Sequence, residues 1–139
     1  MPIQYLKEIN ALGLTKDEYV ILGSAAAMAI GYPKDTNEDI DIYVVRPAFD
    51  RIVNKLTPVN KANRTMYTNS SGHLDINFSI DVFDNDPNDV FRFSHIIDGY
   101  RYLNEVGLEK FYQDLCARFQ IKKHADILRW LYAKGVLKP

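Results

Sequence analysis

"YVILGSAAAMAIGYPKDTNEDIDIYVV" spans Tyr19 to Val45 and sets two apolar runs on either side of a small-residue segment. Tyr19 to Leu22 reads as a short buried strand. It stops at Gly23-Ser24. Ser24 to Ile30 is small and helix-favouring, and Gly31-Tyr32-Pro33 ends it. Lys34 to Glu38 is a polar loop, after which Asp39-Ile40-Asp41 opens a second strand running to Val45. On a strand, residues i and i+2 point to one face, so Asp39 and Asp41 project together with Ile40 and Ile42 opposite. Two carboxylates held side by side repel, and each raises the other's pKa. A divalent cation removes that cost. Mg2+ takes oxygen ligands in an octahedron, usually one or two carboxylates with phosphates and waters, and one carboxylate pair can hold two ions. The plain alternative is a strand end at a sheet edge, with both carboxylates solvated.

Three neighbours favour the cation. Gly23-Ser24 lies directly after a strand and before a helix, where a glycine lets phosphate approach the backbone and a serine adds a donor. Its plain alternative is a Ser N-cap. The 14 residues from 25 to 38 make one short helix and a return loop, which brings the two strands side by side. A further acidic strand, His73-Leu74-Asp75-Ile76-Asn77, falls where a third sheet strand should run.

Outward from this centre, Ile3 to Ala11 predicts a short amphipathic helix closed by Gly13. Pro47 predicts the first residue of a helix running to about Leu56, with Phe49, Ile52, Val53 and Leu56 as its buried stripe. Arg64 to Thr68 and Leu74 to Phe83 read as extended segments joined by the Asn69-to-Gly72 turn cluster. Asp84 to Asn88 is a loop, Asp89 to His95 fits more than one state, and Tyr100 to Leu103 is a short strand. Glu105 to Phe119 and Lys122 to Lys134 are the clearest helices. The expectation is an α+β fold with a small mixed β-sheet, flanking helices and a C-terminal helical segment. It forms one domain over 1–139, divided into a core, 1–100, and a helical tail, 101–139.

The 139 residues are enough to bury a core. With 17 basic and 18 acidic residues the net charge is −1, which excludes a global basic field for long DNA or RNA. Cys116 is the only cysteine, so neither an internal disulfide nor a cysteine zinc site is expected. No apolar run approaches a membrane span, and the N-terminus has no signal-peptide core. A cytoplasmic protein is the expectation.

An apolar run, Gly-Ser, a short helix and then Asp-x-Asp resembles the DNA polymerase β-like nucleotidyltransferase superfamily, and most closely its small antibiotic-type members, such as the lincosamide nucleotidyltransferases. Their third carboxylate sits in a strand similar to "HLDINFSI", and "IKKHADILRWL" is similar to their closing helix, often rich in Lys-Asp-x-x-Asp-Ile. The resemblance covers most of residues 19–83 and, more weakly, 108–132. It implies that Gly23 and Ser24 hold the nucleotide β- and γ-phosphates, that Asp39 and Asp41 bind Mg2+ or Mn2+, and that a third carboxylate completes the site as general base or second-ion ligand. A hydroxyl then displaces pyrophosphate from the α-phosphorus. The loop before Asp39 often carries an arginine in this family; here its basic residue is Lys34. Lys123 stands where an aspartate is common.

Asp75 and Asp81 both qualify as the third carboxylate. They are six apart, on one face of an unbroken strand, but separated by on the order of 20 Å at about 3.3 Å per residue. Asp75, in "LDI", is the better match. Arg46 follows the acidic strand and is a candidate for the triphosphate, against the plain reading of a surface arginine. His73 reads as a turn residue. Arg118, Lys122, Lys123 and Arg129 form a basic cluster whose default is a solvated face. The tail aromatics Phe111, Tyr112, Phe119, Trp130 and Tyr132 read as core. The leading function is transfer of a nucleoside monophosphate from a nucleoside triphosphate to a hydroxyl on a small molecule, a protein or an RNA end. The alternative is a catalytically inactive binding or regulatory module on the same fold, of the kind that suits a mobile element or phage. So short a chain leaves room for a second subunit or protein partner to complete an acceptor pocket.

Overall fold

Seven strands form one mixed sheet in a computed structural model that describes residues 3–61, 64–78, 83 and 86–134. In chain order the elements are α1 (Leu6–Ala11), β1 (Tyr19–Leu22), α2 (Gly23–Ala29), β2 (Ile40–Val44), α3 (Arg46–Ile52) with a 3-10 turn (Val53–Lys55), β3 (Thr57–Lys61), β4 (Arg64–Thr68), β5 (Leu74–Asn77), α4 (Pro87–Arg92), β6 (Ser94–Ile97), β7 (Tyr100–Leu103), α5 (Glu105–Arg118) and α6 (Lys122–Lys134). The strand order is β3-β4-β5-β2-β1-β7-β6. β1 runs antiparallel to β2, while β2–β5 and β1–β7 are parallel.

The central strands are the apolar ones. All four residues of β1 are buried, as are Ile40, Ile42, Tyr43 and Val44 of β2 and Leu74 and Ile76 of β5. Ala25, Ala26 and Ala27 let α2 lie close on β1 and β2, and α5 packs on α2 and β7. Leu108 and Tyr112 of α5 and Ile127 and Leu131 of α6 continue this core. Asn104 caps α5 by accepting from the Gly107 N–H at 2.8 Å. Gly107 has no room for a Cβ, which would lie 2.6 Å from the Phe93 carbonyl oxygen. The α+β class with a mixed sheet, flanking helices and C-terminal helices is as expected.

Several elements differ from the sequence reading. The first helix begins at Leu6, because Tyr5 is left-handed at φ 73° and cannot continue a helix back to Ile3. The helix expected at Pro47 starts at Arg46, with Pro in its first turn, and tightens into a 3-10 turn after Ile52. β3 and β6 are additional edge strands. The extended segment at Leu74 is a strand to Asn77; its continuation through 79–82, with Asp81, lies outside the described residues. β7 pairs beside β1 and so carries the sheet past residue 100. No helix among the described residues is long and apolar enough to cross a membrane.

Candidate metal centre

The end of β1 and the start of β2 meet at Gly23. Antiparallel pairing sets Leu22 opposite Asp41, and the chain turns into α2 through Gly23 at φ +65°. A Cβ there would lie 2.9 Å from the Asp41 Oδ2 atom. Glycine is therefore required twice, by the left-handed backbone and by the approach of the carboxylate. Parallel pairing of β2 with β5 sets Asp41 beside Asp75. Asp39 enters β2 two residues earlier. One oxygen from each of Asp39, Asp41 and Asp75 lies within 4.8 Å of the others.

This cluster is electrostatically costly as it stands. Burial, the neighbouring Asp75 and Asp39 charges and a hydrogen bond shared with Asp75 push the Asp41 carboxyl up to about 7, opposed by the Lys123 cation. Asn37 holds the approach to it. This buried side chain accepts from the Gln4 N–H at 2.8 Å, and its amide donates to the Gln4 carbonyl at 3.1 Å and the Asp39 carbonyl at 3.2 Å. Ile40 N–H donates to the His73 carbonyl at 2.9 Å, tying β2 to the turn before Asp75. His73 itself faces α1: its Nδ1 meets Glu8 at 2.8 Å and its ring stacks on Tyr5 at 3.8 Å. It is a turn residue, as its sequence suggested.

Asp41 and Gly23 also line a cleft of about 530 Å3. Its walls include Met66 and Tyr67 from β4 and Phe111, Tyr112 and Leu115 from α5, with His124 at the start of α6. Tyr112 is buried as core, as expected, yet it borders the cleft, and burial and the Asp41 charge both raise its hydroxyl pKa. Phe111 and Phe119, also read as core, line the cleft, and Phe119 is exposed.

The remaining candidates fall in different places. Ser24 is half-buried in the first turn of α2, behind Leu22 as N-cap residue, and no side chain caps that turn. The plain Ser N-cap reading is thus not what is found. Lys34 lines a separate small recess with Met28, Gly31 and Tyr32. Arg46 follows the far end of β2, where it pairs with Asp50 at 3.0 Å and covers the Phe78 ring. Asn37 was missed because an asparagine in a polar loop carries no signal of burial.

The pre-organisation of the cluster predicts the effect of Gly23→Ala. The added methyl strains a left-handed residue by about 1 kcal/mol and pushes the Asp41 carboxylate aside. Calorimetric titration with Mn2+ should show about a tenfold loss of affinity in a folded protein. Unchanged affinity would mean that the turn does not position Asp41.

No family model matches the chain, and no curated protein matches it. Among solved structures it resembles a candidate nucleotidyltransferase from Thermotoga maritima, with a TM-score of 0.54 and 18% identity over 94% of each chain. A second, an antigenic nucleotidyltransferase-like protein from Paracoccidioides brasiliensis, aligns at a TM-score of 0.46 and 15% identity over 91% of this chain and 69% of that one. The first likeness extends along nearly the whole length of both chains and establishes a fold of the nucleotidyltransferase type.

Proposed function

We propose that the chain is a divalent-cation-dependent nucleotidyltransferase that moves a nucleoside monophosphate from a nucleoside triphosphate to a hydroxyl acceptor. The convergence of Asp39, Asp41 and Asp75 within 4.8 Å, against the Gly23 turn, is the observation that carries this reading. The donor set suits Mg2+ or Mn2+: it is all oxygen, and a positive charge relieves the mutual repulsion that raises the Asp41 pKa. Asp39 and Asp41 would hold the cation, with Asp75 completing the set. When bound, the cation supplies neutralisation of phosphate charge and a lowered pKa for the attacking hydroxyl.

The protein's own groups do the rest by position. Asp75 takes the acceptor hydroxyl proton as that oxygen bonds to the α-phosphorus. The bond from the α-phosphorus to the bridging oxygen breaks, and pyrophosphate leaves with the electron pair. Gly23, lacking a Cβ, lets phosphate near the backbone, and Ser24 adds a hydroxyl donor. Arg46, ion-paired at the far end of β2, and Lys34, in its own recess, are candidates for the outer phosphates only if they move. The cleft beside Asp41 is of the size that takes a nucleoside or a small molecule. Its apolar wall suits the small acceptors of the antibiotic-type branch.

Thermal unfolding with Mg2+ and each of the four nucleoside triphosphates tests this reading. Cation and nucleotide together should stabilise the protein by more than their separate effects add to, by about 2.7 kcal/mol at a hundredfold excess over Kd. Transfer of an α-phosphorus label to an acceptor completes the test. Absence of a joint shift with all four nucleotides would leave a binding module on this fold.

A further inference from the structure

The tail brings four basic residues near the cleft, and all but one of them are engaged. Lys122 pairs with Asp126 at 2.7 Å, and Arg129 pairs with the same carboxylate. Arg118 meets Asp114 at 3.2 Å. Lys123, between these pairs in the first turn of α6, is exposed and has no ion pair or hydrogen bond among the described residues. The next residue, His124, lines the cleft with Asp41 and Gly23, and its ring lies 5.7 Å from that of Tyr112. The opening turn of α6 therefore borders the compartment that the carboxylates enter. The Lys123 charge is near enough to act on Asp41. A lysine is a compact charge on a flexible stem, able to swing between partners and to bind phosphate as a point charge.

We propose that the Lys123 ammonium binds the polyphosphate of the nucleotide from the tail side of the site, and that without nucleotide it offsets the charge of the three carboxylates. The proposal rests on the nucleotidyltransferase reading above. It makes Lys123 two-faced. With the carboxylates bare, its charge competes with an incoming cation. With nucleotide present, the same charge adds to the cation's hold on the phosphates. A lysine that merely solvates a helix face does neither.

Lys123→Ala, Lys123→Arg and, as a control, Lys122→Ala separate these cases by calorimetric titration with Mn2+ alone and with Mn2+ plus a non-hydrolysable nucleoside triphosphate. Lys123→Ala should bind Mn2+ alone several-fold more tightly and the Mn2+–nucleotide about tenfold more weakly. Lys123→Arg should restore the nucleotide affinity to within about threefold. Lys122→Ala should move neither constant by more than about twofold, because its charge is already spent on Asp126. Nucleotide affinity unchanged in Lys123→Ala, or both constants weakened together, overturns the proposal and leaves the function standing. A wild-type protein that binds Mn2+ but no nucleotide overturns both.

Discussion

Asp41→Asn abolishes metal-dependent transfer while the metal-free protein stays folded and is more stable than the wild type at pH 8. The substitution keeps the shape of the side chain and removes one of three clustered charges. Turnover should fall by roughly a thousandfold or more, the scale on which removing one element of a pre-organised charge site acts. The stability effect has a definite pH window. The folded Asp41 carboxyl titrates near 7, against about 3.9 in the unfolded chain. Its contribution is fully present below the unfolded value and is lost as pH rises through the folded one. The stability difference between Asp41→Asn and wild type should therefore open between about pH 4 and pH 7. It should reach roughly 2 kcal/mol at pH 8, since the rise is shared with Asp75 and each unit is worth about 1.4 kcal/mol. Glu18 behaves in the opposite sense. Its bond to Arg51 lowers its pKa to about 2, so its contribution is lost in acid, below the Asp41 window. Saturating Mg2+ should restabilise wild type at pH 8 and leave Asp41→Asn unmoved. Denaturant titrations at pH 5 and pH 8, with and without Mg2+, measure all four quantities. A variant that is less stable without metal at pH 8 would make Asp41 a structural hydrogen-bonding group.

The centre of the fold was legible because its signals are local. Tyr19–Leu22 is a continuous apolar run, and all of it is buried. The small residues after Gly23 allow α2 to lie on β1 and β2. The i, i+2 rule put Asp39 and Asp41 together before any register was known. The β2–β5 register was not readable. It is set where Ile40 meets Leu74 and Ile42 meets Ile76, and these buried pairs carry Asp41 to Asp75 as a consequence. Distance along the chain could only say that the strands are neighbours.

The edges were not legible for the opposite reason. β3 reads TPVNK, with a proline and no apolar alternation, and β6 is only four residues, SHII. Edge strands have one ladder to satisfy, so they tolerate proline and polar residues that a central strand would not. Asn37 and Gly23 draw their importance from partners distant in the chain, Gln4 and Asp41, and an isolated loop asparagine or turn glycine carries no trace of them. The tail aromatics were read from helical spacing alone. Spacing identifies the inward face of α5 but not that part of this face opens on a cleft, as at Phe111 and Phe119.

Asp75→Ala should lower turnover by roughly a thousandfold and weaken nucleotide binding by less than about tenfold. A group that accepts a proton as the acceptor oxygen attacks acts on the transition state, so its removal appears in kcat far more than in ground-state affinity. The pairing with Asp41 makes Asp75 the carboxylate on β5 that reaches the cluster. The hydrogen bond between the two side chains means that, without metal, they share a proton. Removing Asp75 takes away both its charge and that bond, the first two local causes after burial of the raised Asp41 pKa. Asp41 should then ionise at lower pH, and the onset of Mn2+ binding should move down in pH even as turnover collapses. That pairing of effects distinguishes a base from an inert neighbour. Single-turnover rates and Mn2+ titrations across pH 5 to 8 measure it. Asp81→Ala should leave both constants near wild type. If Asp81→Ala is the inactive variant and Asp75→Ala turns over normally, the third carboxylate has been placed six residues too early in the chain. If both variants turn over normally while nucleotide still binds, the carboxylates hold a ligand and catalyse nothing.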